Sequence, residues 1–203
     1  MSDERIVDLG NEPPSTLEQA AILLSEHFGE PQGWPTVELA RAEVSRVLTD
    51  GFARAMLRGG ILLGWIGGLP EYDGRVWELH PMIVHRDFRR QGVGRTLVSV
   101  FENEAQRRGA LTVTLGTDDD SDMTSLSGVN LYTDVPGYLA QLRDLGRFHP
   151  FLFYSALGYV VTGVMPDANG RGRPDIYMSK PVSIPKPAAA LPGSAQPAFA
   201  PDR

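Results

Sequence analysis

A mixed α+β fold, in which a mostly antiparallel sheet is flanked by helices, is what this sequence predicts, and three observations carry it. Apolar residues recur at helical spacing in two segments ahead of residue 50 and again over residues 92–108. Between and after these lie short apolar runs of strand length, bounded by glycine-bearing turns. Three of those runs are consecutive, and the tight turns between them call for antiparallel neighbours.

Ser15-Thr16-Leu17-Glu18 has the form of a capping box, and Leu17, Ala21, Leu24 and Phe28 continue it at helical spacing. A first helix is expected there. After a breaker-rich stretch over 29–35, residues 36–48 place Val37, Ala40, Val44 and Leu48 on one side of a second helix, with Thr36 as its cap. From Phe52 the pattern changes. Runs over 52–57 and 61–66, separated by Arg58-Gly59-Gly60, read as a hairpin, and Tyr72-Asp73-Gly74-Arg75 is a further turn before a strand over 76–84. Residues 92–108 form a helix with Val93, Leu97, Val100 and Phe101 on one face and Gly109 as its stop. A strand over 111–115 follows, then a polar stretch over 117–146 with one short helix near 138–145. A helix over 151–157 and strands over 159–165 and 176–180, joined by the glycine- and asparagine-rich loop 166–174, complete the elements. There are no internal repeats. One domain over residues 1–181 is expected, and the Pro/Ala-rich stretch 182–203 is expected to be a disordered tail.

The absence of cysteine removes disulfides, thiolate nucleophiles and cysteine-ligated metals. Nineteen Lys and Arg against 25 Asp and Glu leave a net charge of −6. That balance argues against nucleic acid as the main partner and suits a cationic one, or simply solubility. No uncharged apolar run reaches the roughly 18 residues of a membrane span, and the N-terminal residues lack a basic-then-apolar segment. Cytoplasmic residence is the expectation. None of the four His stands with other ligand types at metal spacing, so no metal is expected.

Chemistry concentrates between Trp77 and Arg95, where a strand, a basic turn and a glycine-bracketed helix start follow one another. Gly92 and Gly94 let backbone N–H groups approach an anion without Cβ obstruction, and a helix start adds roughly half a positive elementary charge. A pyrophosphate fits such a turn; a tight turn without ligand is the plain alternative. The dinucleotide fingerprint needs a third glycine where this chain has Leu97, and the Gly-Lys-Ser/Thr of a P-loop is absent. On residue type alone, Glu78 reads as a strand-edge ion pair, His80 as a half-buried ring and Tyr154 as core, each as well as a catalytic group.

The pattern Arg89-x-x-Gly92-x-Gly94 resembles the acyl-CoA signature of the GNAT superfamily, and the element order is similar to that family's from about residue 5 to 181. Trp77-Glu78-Leu79-His80-Pro81, Leu115-Gly116-Thr117-Asp118-Asp119, and Pro166-Asp167-Ala168-Asn169-Gly170 with Pro174-Asp175-Ile176 resemble aminoglycoside 6-prime-N-acetyltransferases of the enterococcal chromosomal type. The resemblance implies a GNAT fold with its sheet splayed at the acyl-CoA strand. It implies an N-acetyltransferase that moves acetyl from acetyl-CoA, a co-substrate, to a primary amine in a ternary complex. Aminoglycosides or similar polycations would be the acceptors, antibiotic resistance the associated role, and a homodimer the assembly.

The same resemblance implies roles for individual residues. Arg89, Arg90 and the N–H groups of Gln91, Gly92, Val93, Gly94, Arg95 and Thr96 would hold the pyrophosphate. Met82, Ile83 and Val84 would pair with the pantetheine arm, the Met82 N–H facing the thioester oxygen, and Pro81, with no N–H to give a ladder, would sit where the strands part. Glu78 and His80, two apart on a strand, share a face. Glu78 is the expected base, acting through water, and His80 would support the oxyanion. Tyr154, within Phe153-Tyr154-Ser155-Ala156-Leu157-Gly158-Tyr159, would protonate the departing thiolate, a phenol of pKa about 10 being neutral at pH 7. Asp118, Asp119 and Asp120 would set up a negative field for a polycation, with Asp175 and Trp34 also lining the acceptor cleft. Arg147 stands where many family members carry Asn, so a contact there is expected to differ. Two other readings stay open: acetylation of a protein or metabolite amine, and a non-catalytic acyl-CoA-binding module.

Overall fold

The computed structural model describes residues 4–29 and 33–183. A strand, β1 (Glu4–Asp8), leads to two helices, α1 (Pro14–His27) and α2 (Val37–Asp50). Three strands follow, β2 (Phe52–Arg58), β3 (Ile61–Glu71) and β4 (Val76–Val84), and then α3 (Val93–Arg107) and β5 (Thr112–Asp118). Short helices α4 (Val135–Ala140) and α5 (Pro150–Ser155) precede the closing hairpin of β6 (Val160–Met165) and β7 (Asp175–Pro181). All seven strands lie in one sheet ordered β1-β2-β3-β4-β5-β7-β6, antiparallel except where β4 meets β5. The α+β architecture is the expected one.

Local chemistry explains where the elements start and stop. Pro13 is the N-cap of α1 and Pro14 takes its first turn, where a missing N–H forfeits no intrahelical bond. The capping box expected at residues 15–18 therefore lies inside the helix, and no side chain caps it. Thr36 does cap α2, its Oγ1 accepting from the Leu39 N–H at 3.3 Å. α4 begins ahead of its expected position because Asp134 caps it, accepting from the Gly137 N–H at 3.0 Å. Val182, expected to open the tail, donates its N–H to the Leu111 carbonyl at 3.0 Å. The rest of that stretch, from residue 184, lies outside the described residues.

Each face of the sheet has its own core. Leu24, Ala40, Val44 and Val47 of α1 and α2 pack on Ala53, Ala55 and Trp65. Val93, Leu97 and Phe101 of α3 pack with Phe52, Ile66, Trp77 and Leu79, joined by Phe151 and Tyr154 of α5. Each such large apolar side chain contributes about 1.5–3 kcal/mol on burial.

Two irregularities in β4 shape everything that follows. β4 pairs with β5 only from Val76 to Glu78, opposite Thr112 to Thr114, and then parts from it. The parting starts ahead of Pro81, the residue expected to mark it. Pro81 instead sits in a bulge on the β3 side: Gly68 faces Leu79 and Ile66 faces Met82, so His80 and Pro81 together oppose Gly67. An extra residue exchanges the faces of a strand. Ahead of the bulge, Trp77 and Leu79 belong to the α3 core, which turns Glu78 and His80 toward α2. Behind it, Met82 and Val84 pack on the α3 side and Ile83 joins the α1 and α2 core.

Candidate active site

The glycine-bracketed turn expected to bind an anion lies on the α3 side of the splay. Arg90 and Gly92 both adopt left-handed backbone conformations, with φ of 61° and 90°. Glycine enters this region without the cost an L side chain bears. Thr96 N–H bonds to the Gly92 carbonyl at 3.0 Å, closing the first turn of α3. Helix geometry leaves the N–H groups of Val93, Gly94 and Arg95 without intrahelical acceptors. They open on a cleft of about 380 Å³ lined by Met82, Val84, Arg89, Arg90, Gly92, Gly94, Arg95 and Phe153. Ile83 is turned away into the opposite core, so among the strand residues its side chain takes no part.

The β4 backbone faces the same cleft. His85 N–H bonds to Leu63 O at 2.9 Å, and residues that bond to one antiparallel neighbour alternate with residues that point away from it. Met82 and Val84 are thus the ones whose polar groups turn from β3 toward the side that β5 has left. The Val84 carbonyl accepts from Arg89 Nε at 3.1 Å there. Arg89 Nη2 also donates to His27 Nδ1 at 2.9 Å, so that nitrogen carries no proton. Desolvation and the Arg89 charge both push His27 below the usual histidine value.

The side expected to receive the acceptor is built from side chains. Ile176, Met178, Val113 and Leu115 face the α3 core, so period-two alternation sets Glu78, Asp118, Asp175 and Tyr177 on the other face of β4, β5 and β7. Asp175 is opposite Asp118 in the β5–β7 ladder. Burial first, then the Asp118 and Glu78 charges, pushes the Asp175 carboxyl up to about 6. Room for it comes from Gly116, where a Cβ would lie 2.4 Å from Asp175 Oδ2.

The three consecutive aspartates separate in the structure. Asp118 stays exposed, its Oδ1 accepting from Asn169 Nδ2 at 2.6 Å. Asp119, expected in the cleft, is fully buried. Its carboxylate accepts from Met123 N, Thr124 N and Ser127 Oγ at 2.7, 2.9 and 2.5 Å, so it organises the loop behind the wall. Asp120 accepts from Ser121 Oγ at 2.7 Å. Arg147 donates to the Ser121 carbonyl at 2.9 Å and ties the same loop down.

His80 and Trp34 meet over α2, their ring centroids 5.7 Å apart. His80 Nε2 lies 3.1 Å from Glu43 Oε1, and Arg46 holds both oxygens of Glu43 at 2.6 and 3.0 Å. Glu43 and Arg46 are absent from the sequence reading. The signal that could have found them is their polarity at the i and i+3 positions of α2, beside the Ala40, Val44 and Val47 stripe.

On α5 two neighbouring aromatics divide. Phe153 lines the cleft, its ring 3.5 Å from where a Gly94 Cβ would stand. Tyr154 is buried in the α3 core beside Phe153 and Tyr159, and burial pushes its phenol well above the usual value. A raised phenol stays neutral at pH 7 but is a weaker acid than a solvated one. Phe153 is the lining residue that sequence reasoning passed over, because the signature around it points one position further on.

Among the described residues no group of three or more His, Asp or Glu side chains is arranged to hold a metal ion, and no helix is long and apolar enough to cross a membrane.

Comparison with known proteins agrees with this geometry. Residues 19–133 match the family described as Acetyltransferase (GNAT) family. A crystal structure of aminoglycoside 6'-N-acetyltransferase complexed with coenzyme A is 35% identical, covering 90% of this chain and 99% of that one with a TM-score of 0.80. The aminoglycoside 6'-N-acetyltransferase from Enterococcus faecium is 35% identical over the same shares, with a TM-score of 0.81. An aminoglycoside 6'-acetyltransferase type Ii is 32% identical, covering 90% of this chain and 99% of its own, with a TM-score of 0.67. A comparison with curated protein sequences gave no match. With the splayed strand, the glycine turn and more than half the chain inside the family match, the chain belongs to the GNAT acetyltransferase family.

Proposed function

We propose that this acetyltransferase moves the acetyl group of acetyl-CoA to a primary amine of an aminoglycoside or a similar polycationic small molecule. The observation that carries this reading is the two-sided opening at β4. One side offers backbone amides and Arg89, Arg90 and Arg95, suited to a pyrophosphate; the other offers Glu78, Asp118 and Asp175, suited to a polycation. The likeness to aminoglycoside acetyltransferases supports the same acceptor class.

In this reading Met82 and Val84 orient the pantetheine arm by strand-like pairing, and the Met82 N–H stabilises negative charge on the thioester oxygen. Glu78, beside the parting of β4 and β5, takes the proton of the incoming amine through water. Tyr154 holds a proton for the sulfur, and Phe153 excludes water from the cleft. The cytoplasm is the proposed location, a homodimer the proposed assembly, and antibiotic resistance the proposed role.

The test is thiol release measured with purified protein, acetyl-CoA and a panel of aminoglycosides, polyamines, lysine peptides and small amines. Turnover on aminoglycosides with the highest kcat/KM of the panel is expected. Silence on every aminoglycoside, with turnover on a peptide or metabolite amine, overturns the acceptor assignment.

A further inference from the structure

We propose that Glu43 is a positioning residue that holds the Nε2 hydrogen of His80, so that the ring in its neutral form offers the acceptor side of the cleft a lone pair and not a donor. This deepens the acetyltransferase reading and rests on it. Burial raises and the Arg46 guanidinium lowers the Glu43 carboxyl, and the net result is below the ordinary value. Glu43 is therefore ionised at neutral pH and can only accept hydrogen bonds. The nitrogen 3.1 Å from it must carry the hydrogen, which is Nε2. Nδ1 is then the lone-pair nitrogen of the neutral ring.

The arrangement is enclosed and braced. The Glu43 side chain is 11% exposed and that of His80 30%. Trp34 covers the His80 ring edge-on, and Phe28 stands behind Trp34 with ring centroids 5.9 Å apart. Arg46 on α2 holds the Glu43 carboxylate and in turn feels the charges of Asp50 on α2 and Glu78 on β4.

The consequence alters what His80 can do. Stabilising an oxyanion requires a donor aimed at it, and the donor of neutral His80 is committed to Glu43. A lone pair on the strand face that also carries Glu78 instead receives a hydrogen bond from the ammonium or hydroxyl of a bound polycation. His80 thus orients the acceptor, while charge on the thioester oxygen is left to the Met82 amide.

Two measurements on the full chain test this. Long-range ¹H–¹⁵N correlation across a pH series, with the ring assigned by its loss in His80→Gln, should show the neutral form of His80 protonated at Nε2 and bare at Nδ1. The opposite tautomer overturns the proposal whether or not any acceptor turns over. On an acceptor that wild type acetylates, Glu43→Gln should weaken acceptor KM about tenfold, a loss of roughly 1.4 kcal/mol, with coenzyme A affinity unchanged. An unchanged acceptor KM in a variant that binds coenzyme A normally overturns it too. A wild type inactive on every amine would count against the acetyltransferase reading instead, and the tautomer would still judge Glu43.

Discussion

The two sides of the β4 opening are made of different material. Toward α3 the site consists of backbone amides, two left-handed residues and exposed arginines, of which Arg89 is held by Val84 and His27. Toward α2 it consists of carboxylates and rings, each fastened to a neighbour: half-buried Glu43 to Arg46 and His80, exposed Asp118 to Asn169, and half-buried Asp175 into the pocket at Gly116. A site built from amides tolerates side-chain change as long as the turn keeps its conformation. A site built from carboxylates keeps its fold under substitution but loses its chemistry residue by residue.

The largest effect that should separate the two sides is on catalysis. Glu78→Gln is expected to lower kcat by about 10²–10³, within the range for a general base, while coenzyme A binding by calorimetry stays at the wild-type value. A loss shared equally between the two would erase the distinction. Next is the turn itself. Gly92→Ala places a Cβ in open space but at φ 90°, and the left-handed region costs an L residue about 1–2 kcal/mol. Coenzyme A affinity should fall about tenfold, and kcat at saturating coenzyme A should recover.

The smallest effect is on stability. Asp175 has a folded-state value of about 6, above the ordinary 3.8. The folded protein binds that proton more tightly than the unfolded chain, so its contribution to stability is lost as pH rises between these two values. Asp175→Asn should therefore raise Tm by a few degrees at pH 7.5, and the gap should close as the pH falls toward 4. A variant less stable than wild type at both pH values would show that the carboxylate's hydrogen bonds outweigh its desolvation.

What could be read from the sequence follows the same division. The turn was legible because its signals are local: Gly92, the helix period from Val93 and the strand over 76–84 stand within twenty residues of one another. The order of elements along the chain and α2 with its Thr36 cap were legible for the same reason. The acceptor wall joins residues far apart in the chain, such as Asp118 with Asn169 and Glu43 with His80. Spacing cannot separate an aspartate that faces a cleft from its buried neighbour. Asp118 and Asp119 are adjacent in sequence, yet strand alternation sends one to solvent and the other to three loop donors. Phe153 and Tyr154 illustrate the same ambiguity on a helix, where a single step turns a side chain by about 100°.

The loop after β5 and the loop between β6 and β7 are sewn together. Gly128 N–H reaches the Gly172 carbonyl at 2.9 Å, Asp119 N–H reaches Pro174 O at 2.9 Å, and Asn169 reaches Asp118. These two segments behave as a single panel. Exchanging either loop for that of another protein requires exchanging both as a matched pair, because a graft of one alone arrives with its stitches undone.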